Sequence, residues 1–444
     1  LRHSIGLIFA GILIAALTAC SSEQPESAGK TEVMSQPVIS TEPVTLKFYA
    51  YVSKMTEDNF NKTIAQLVKS KYPHITLEFA AGERGSLDEK VAAGTVPDII
   101  FTANNIYPSV KRLNIPMDMT EQIKRHKLDL QHFNPITLET IRKMEGGRSM
   151  PAVPFSNNAG ALFYNKDIFD KMAIPYPVNG MTWDQIIDLA RKMTRTMDGS
   201  PYIGWSPGQP DAISYPYEAK SLVDPKTNKV MIDTPMYQKV FSLMKQIYDL
   251  PGYLGGDKGD QFNYSAADFI SKQRLAMIGE WISEILLQLA EAEAKGAAPN
   301  WDLVTIPNFA DNKGKGRDDH TAFLILSNTS PHKDQAMQVI KLLTSKESQL
   351  IQSRSGRVPA SGDPEVIKQF GQDIPQLRNK NLSAIFEYPL TPAIEYTIYD
   401  TDILSILRGI RKEVAVNKKD VNTALREAQE QAEKKMDELV KAYK

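Results

Sequence analysis

The chain has 444 residues, 42% of them hydrophobic, and 52 basic groups set against 53 acidic ones leave a formal net charge of −1. That length and apolar content suffice for two cores, while the balanced charge, with no long basic run, argues against a surface that tracks a phosphate backbone, so no nucleic-acid partner is expected. A single cysteine excludes an internal disulfide, and stability must come from packing.

In chain order, Arg2 and His3 form a short basic start and Ile5 to Ala16 an apolar run too short to span a bilayer comfortably, which reads as a secretory signal over residues 1–19. Leu17, Thr18, Ala19 and Cys20 resemble the cleavage and acylation site of bacterial lipoproteins. The resemblance implies a lipid on Cys20, and the two or three acyl chains of such a cysteine suffice to tether an extracytoplasmic protein to the cell membrane. Residues 20–43, rich in Ser, Glu, Gln, Pro and Thr, have the composition of a disordered spacer.

From Val44 the pattern becomes ordered. Val44, Leu46, Phe48 and Ala50 alternate with Thr45, Lys47, Tyr49 and Tyr51, a strand period, and Phe60, Ile64, Leu67 and Val68 then share one helical face. Ile75, Leu77 and Phe79 alternate as a second strand, Leu87 to Ala93 reads as a helix stopped by Gly94, and a third short strand ends at Phe101. Strand, helix, strand, helix, strand is the signature of a doubly wound α/β unit. The middle starts again. Met150 to Phe155 and Gly160 to Tyr164 read as strands, Lys166 to Met172 as a short helix, and Ile174 to Val178 as a Pro-rich turn. Thr182 with Gln185 predicts a capping box for a helix burying Ile186, Ile187, Ala190 and Met193. Trp301 to Ile306 reads as a strand, Asp334 to Leu343 as an amphipathic helix, and Val421 to Tyr443 as a long polar helix.

Several segments in this order resemble the extracellular solute-binding proteins of the oligosaccharide-binding class that serve ABC importers. They are Tyr72-Pro-His-Ile-Thr-Leu-Glu, Ala93-Gly-Thr-Val-Pro-Asp-Ile-Ile, Pro151-Ala-Val-Pro-Phe with Gly160-Ala-Leu-Phe-Tyr-Asn-Lys-Asp, Thr182-Trp-Asp-Gln, Ala276-Met-Ile-Gly-Glu-Trp and Gly356-Arg-Val-Pro-Ala. The resemblance implies two doubly wound α/β lobes of the periplasmic-binding-protein type II, joined by a hinge that the chain crosses more than once. The expected lobes are 44–152 with 318–357, and 153–317 with 358–444. It also implies a small-molecule ligand, carbohydrate in character, delivered to permease subunits by a protein working as a monomer without a cofactor.

A sugar offers an apolar face and a rim of hydroxyls, so its site needs aromatic platforms with polar residues at the edges. Trp281 occupies the family's stacking position, and Glu280 beside it offers a carboxylate to hydroxyls. Trp205 lies in a Gly- and Pro-rich stretch that reads as a loop, with Tyr215 and Tyr217 nearby, whereas Trp183 and Trp301 read as structural. Tyr51, Asn104 and Asn105 stand at carboxyl ends of strands, where open α/β sheets bind ligands, although asparagines there also serve as caps and turns. Phe155 and Asn157 follow the expected hinge strand.

Two other classes compete. A tethered glycoside hydrolase needs two carboxylates at fixed separation, for which Glu280 and Glu284 would have to share a helix face. A surface adhesin would leave the hinge and the aromatics unexplained. The six scattered histidines, the lack of a Gly-x-Ser-x-Gly elbow and the lack of a Walker pattern argue against triad and nucleotide chemistry. No metal site is expected, Asp257 and Asp260 being the pair that comes nearest to a calcium pattern.

Overall fold

The computed structural model describes residues 40–217, 220–316 and 319–443, so Cys20, the signal segment and most of the expected spacer lie outside the described residues. The strands are β1 Val44–Tyr51, β2 Ile75–Gly82, β3 Ile99–Ala103, β4 Val153–Asn158, β5 Gly160–Asn165, β6 Arg195–Met197, β7 Ser200–Ser206, β8 Leu275–Trp281, β9 Trp301–Thr305 and β10 His320–Leu326. They form two five-stranded sheets, ordered β2-β1-β3-β10-β4 and β6-β7-β8-β5-β9, with helices packed against them. Each sheet has its own apolar core. This is the expected two-lobed α/β architecture.

In the first lobe the strand alternation and the helical face meet as the sequence implies. β1 lies parallel to β2 with Phe48 opposite Phe79, and the Phe60 ring sits 5.0 Å from Phe48 and 4.5 Å from Phe79. Thr56 Oγ1 accepts from the Asn59 amide at 3.2 Å and starts that helix. Its second turn widens into a π turn over Asn61–Ala65, where the Thr63 hydroxyl donates back to the Asn59 carbonyl.

In the second lobe the Thr182–Gln185 capping box forms and starts the helix Trp183–Met193. This helix lies so close on β7 that a Cβ at Gly204 would fall 2.4 Å from Ala190 backbone atoms. Only a residue without a side chain lets the two backbones approach, and the approach stacks Trp183 on Trp205, with ring centroids 5.0 Å apart and planes 20° from parallel.

Neither sheet is purely parallel. β10 runs antiparallel to β3 and β4, and β5 antiparallel to β8 and β9. Each of these reversed strands is the one the chain enters on arriving from the other lobe. The first passage corrects the expected change of lobe at residue 153. β4 stays bonded to β10 through Asn158, and Val153 and Phe155 belong to the first core, so the chain leaves that lobe only at Asn158–Gly160. The expected boundary followed from the family resemblance of Pro151-Ala-Val-Pro-Phe, but this segment runs into β4, the last strand of its sheet, where Pro154 is tolerated. The second passage joins β9 to β10. A third runs beside β4, with the Asn157 amide donating to the Val358 carbonyl at 2.9 Å and Pro359 bridging Ser156. Gly356 opens it at φ +83°, and a Cβ there would meet Ile374 at 2.9 Å.

Candidate ligand-binding cleft

β1 and β3 of the first sheet, and β7, β8 and β9 of the second, bring their carboxyl ends to the region where the passages run. Trp281, the last residue of β8, packs its ring 5.0 Å from that of His320, the first residue of β10, so the two sheets meet through these side chains. The first passage is pinned beside them. Asn158 Nδ2 donates to the Ser283 hydroxyl at 2.8 Å, its Oδ1 accepts from the Ser283 amide, and the Ile282 amide donates to the Ala159 carbonyl. A small pocket opens next to this junction, walled by Asn158, Gly160, Ile306, Gly316, Tyr388 and Leu390.

The other proposed residues separate into two groups. Trp281, Glu280 and Asn105 keep partial exposure. Tyr51, Asn104, Phe155, Asn157, Trp205 and Tyr215 are buried. Trp205 is in strand β7 rather than in a loop, and its ring serves the core through Trp183. Tyr215 and Tyr217 belong to the helix Pro210–Tyr217, also read as loop. Phe155 packs edge-on to Phe101 at 5.4 Å. The Tyr51 hydroxyl accepts from the Gly85 amide at 3.3 Å, and burial pushes its pKa up. Glu280 lies within strand β8, one residue before its end, while Glu284 lies in the first turn of the helix Ile282–Ala294, so the two do not share a helix face as a paired acid would need.

Asn104 and Asn157 act on the passages. Asn104 Nδ2 donates to the Asp319 carbonyl at 2.8 Å. Asn157 donates to the Thr137 hydroxyl and accepts from that of Thr321. The Thr137 hydroxyl in turn donates to the Asp319 carboxylate at 2.9 Å, and the single proton of the Thr321 hydroxyl is shared between Asn157 Oδ1 and Asp319 Oδ2, the latter 2.7 Å away. Asp319 is fully buried immediately before β10, and burial raises its carboxyl pKa against the lowering pull of these hydroxyls.

Sequence reasoning missed a second set, on the helix Asp400–Ala415. Arg408 grips Asp211 through Nε at 2.9 Å and Nη2 at 2.8 Å. Arg411 donates from Nη1 to the Gly208 carbonyl at 2.7 Å and to Asn263 Oδ1 at 3.0 Å. Burial works against the Arg408 charge, but the bonds and charge of Asp211 outweigh it and hold its pKa above the ordinary value. The i, i+3 spacing of two arginines on one helix was the available signal.

The lobes also touch away from the junction. Arg84, beyond β2, donates to the Thr401 hydroxyl at 3.0 Å. The Arg112 guanidinium lies 5.5 Å from the centre of the Tyr443 ring, and Lys54 lies 3.7 Å from Glu284. Thr401, Tyr443 and Glu284 adjoin the second core, and their partners the first.

The family model of bacterial extracellular solute-binding proteins matches residues 54–350, more than half of the chain. The chain belongs to this family. A comparison with curated proteins finds no match to this solute-binding protein. Among solved structures it resembles an ABC substrate-binding protein from Listeria monocytogenes in complex with cycloalternan, at 15% identity and a TM-score of 0.71, covering 89% of this chain and 99% of that one. A sugar transporter from Rhizobium etli in an open conformation matches at 19% identity and 0.71, covering 88% and 99%. A solute-binding protein from Agrobacterium vitis with bound D-mannitol matches at 16% and 0.63, covering 89% and 99%. At these identities the likeness speaks for the fold.

Among the described residues no helix is long and apolar enough to cross a membrane, and no group of three or more His, Cys, Asp or Glu side chains is placed to hold a metal ion, Asp257 and Asp260 included.

Proposed function

We propose that this solute-binding protein captures a sugar or polyol between its lobes and hands it, without turnover, to the permease of an ABC importer, while a lipid on Cys20 tethers it outside the cell membrane. The observation that carries the reading is Trp281, an aromatic platform at the sheet junction with partial exposure and a partner from the opposite lobe. Relatives of the same fold bind cycloalternan and D-mannitol, ligands with apolar C–H faces and hydroxyl rims. A ligand touching both lobes stabilises the closed arrangement by its differential contacts, and the permease reads that arrangement. The cleft works by complementarity, with no covalent step.

A thermal-shift screen of the chain from residue 44 onward against mono- and oligosaccharides, polyols and amino compounds tests this. Binding to the native state alone raises the melting temperature by mass action. A sugar or polyol hit without release of reducing ends supports the proposal. A hit confined to amino compounds, or sustained hydrolysis of a glycan, overturns it.

A further inference from the structure

The Asp400–Ala415 helix links the mouth of the cleft to its wall. Thr401 at its start bonds Arg84 of the first lobe. Two turns on, Arg408 and Arg411 tie down the segment that follows β7, at Asp211 and Gly208. Asp211 sits in the first turn of the helix Pro210–Tyr217, just beyond the cleft end of β7. Glu280, the neighbour of Trp281, and Tyr215 lie near enough to act on the Arg408 charge. Arg408 therefore stands in the same wall as the aromatic platform.

The two members of the ion pair differ in exposure. The Asp211 side chain is 9% exposed and that of Arg408 40%. A nearly buried carboxylate thus fixes the guanidinium of a partly exposed arginine through Nε and Nη2, and Nη1 makes no hydrogen bond among the described residues. This orientation is pre-set, so little side-chain freedom is lost when a ligand oxygen arrives.

We propose that Arg408 contacts the ligand from the second-lobe wall, donating from a guanidinium whose charge Asp211 already compensates, and that the cleft takes an uncharged polyhydroxylated ligand in preference to its carboxylated or phosphorylated counterpart. The inference rests on the sugar-or-polyol reading. Hydroxyl oxygens accept from Nη1 without disturbing the pair. An anion in the same place competes with a nearly buried carboxylate for one cation and lies within the field of Glu280, and Asp211 left unpaired pays its desolvation unaided.

The test uses the full chain with D-mannitol, ribitol, D-tagatose and maltotriose as neutral probes, and D-mannitol 1-phosphate and D-glucuronate as charged ones. Calorimetry on the parent protein and on Arg408→Gln gives affinities, and melting temperatures without ligand report folding. A neutral probe is expected to bind the parent about tenfold or more tighter than the charged probes do, and to lose about tenfold or more in the variant. In the parent, a saturating neutral probe is also expected to protect Arg408 from butane-2,3-dione, read by peptide mass spectrometry. That readout needs no variant, so a misfolded Arg408→Gln leaves the proposal open to refutation. Equal affinity in parent and variant, or equal modification of Arg408 with and without probe, overturns the contact. A charged probe binding tightest overturns the ligand class alone, whereas silence from every probe overturns the sugar reading on which the proposal stands.

Discussion

Trp281 and Asp319 are the side chains on which the junction most depends. Replacing a central aromatic platform typically costs about 2 kcal/mol or more, so Trp281→Ala is expected to weaken sugar binding about thirtyfold in calorimetry. Retained affinity would remove this ring from the site. Asp319 concerns stability. Its folded pKa is raised by burial above the unfolded value of about 3.9, so the native state favours the protonated form. The associated stability is fully present below the unfolded pKa and is lost as pH rises through the folded one. Asp319→Asn carries no charge to desolvate. Urea unfolding of parent and variant at about pH 4 and pH 7 should therefore show the variant gaining on the parent towards neutrality. A parent that gains on the variant over that range would mean that the folded state prefers the carboxylate. Only part of the site could be read from residue types. Trp281 was legible because it follows an ordered set of motifs. Asn104 and Asn157 were legible as polar residues near strand ends, but their partners, Asp319, Thr137 and Thr321, come from distant parts of the chain.

At the level of elements, local periodicity carried the first lobe. The alternation in β1 and the Phe60–Val68 face describe surfaces that meet in the structure, and the Thr182–Gln185 box marks a helix start because its chemistry is local. Trp205 shows why other elements were hidden. Tyr202-Ile-Gly-Trp-Ser-Pro-Gly has turn composition, yet its glycine serves the close approach of a helix, and that packing turns a tryptophan into core. The tight contact makes a prediction. A methyl group at Gly204 must push the Ala190 backbone away, so Gly204→Ala is expected to destabilise the protein by about 1–3 kcal/mol, read as a lower urea midpoint. An unchanged midpoint would mean that the helix can shift at no cost. The lobe passage was misplaced for a related reason: Pro151-Ala-Val-Pro-Phe, taken by resemblance to mark it, runs into the edge strand β4, whose pairing with the distant β10 keeps it in the first lobe.

For the whole molecule the sheet order sets the lever. All the passages border β4 or β10, whereas Arg84 follows β2 at the far edge, three to four strand spacings or about 14–19 Å away. Contacts at that distance from a hinge break early on opening. Each exposed contact contributes only about 0–1 kcal/mol, but its full value acts on the balance between open and closed forms. Arg84→Ala combined with Arg112→Ala is expected to enlarge the unliganded protein in small-angle scattering and to weaken ligand binding about two- to tenfold, with ligand restoring compaction. Scattering identical to the parent would show that these contacts do not hold the mouth.

The distribution of the indoles also gives the protein a built-in optical probe. Trp183, Trp205 and Trp301 are sealed within the second lobe, while Trp281 faces an imidazole from the other lobe. Opening changes the surroundings of Trp281 and leaves the other three as a constant background. Intrinsic emission should therefore follow lobe closure in real time, without an attached dye.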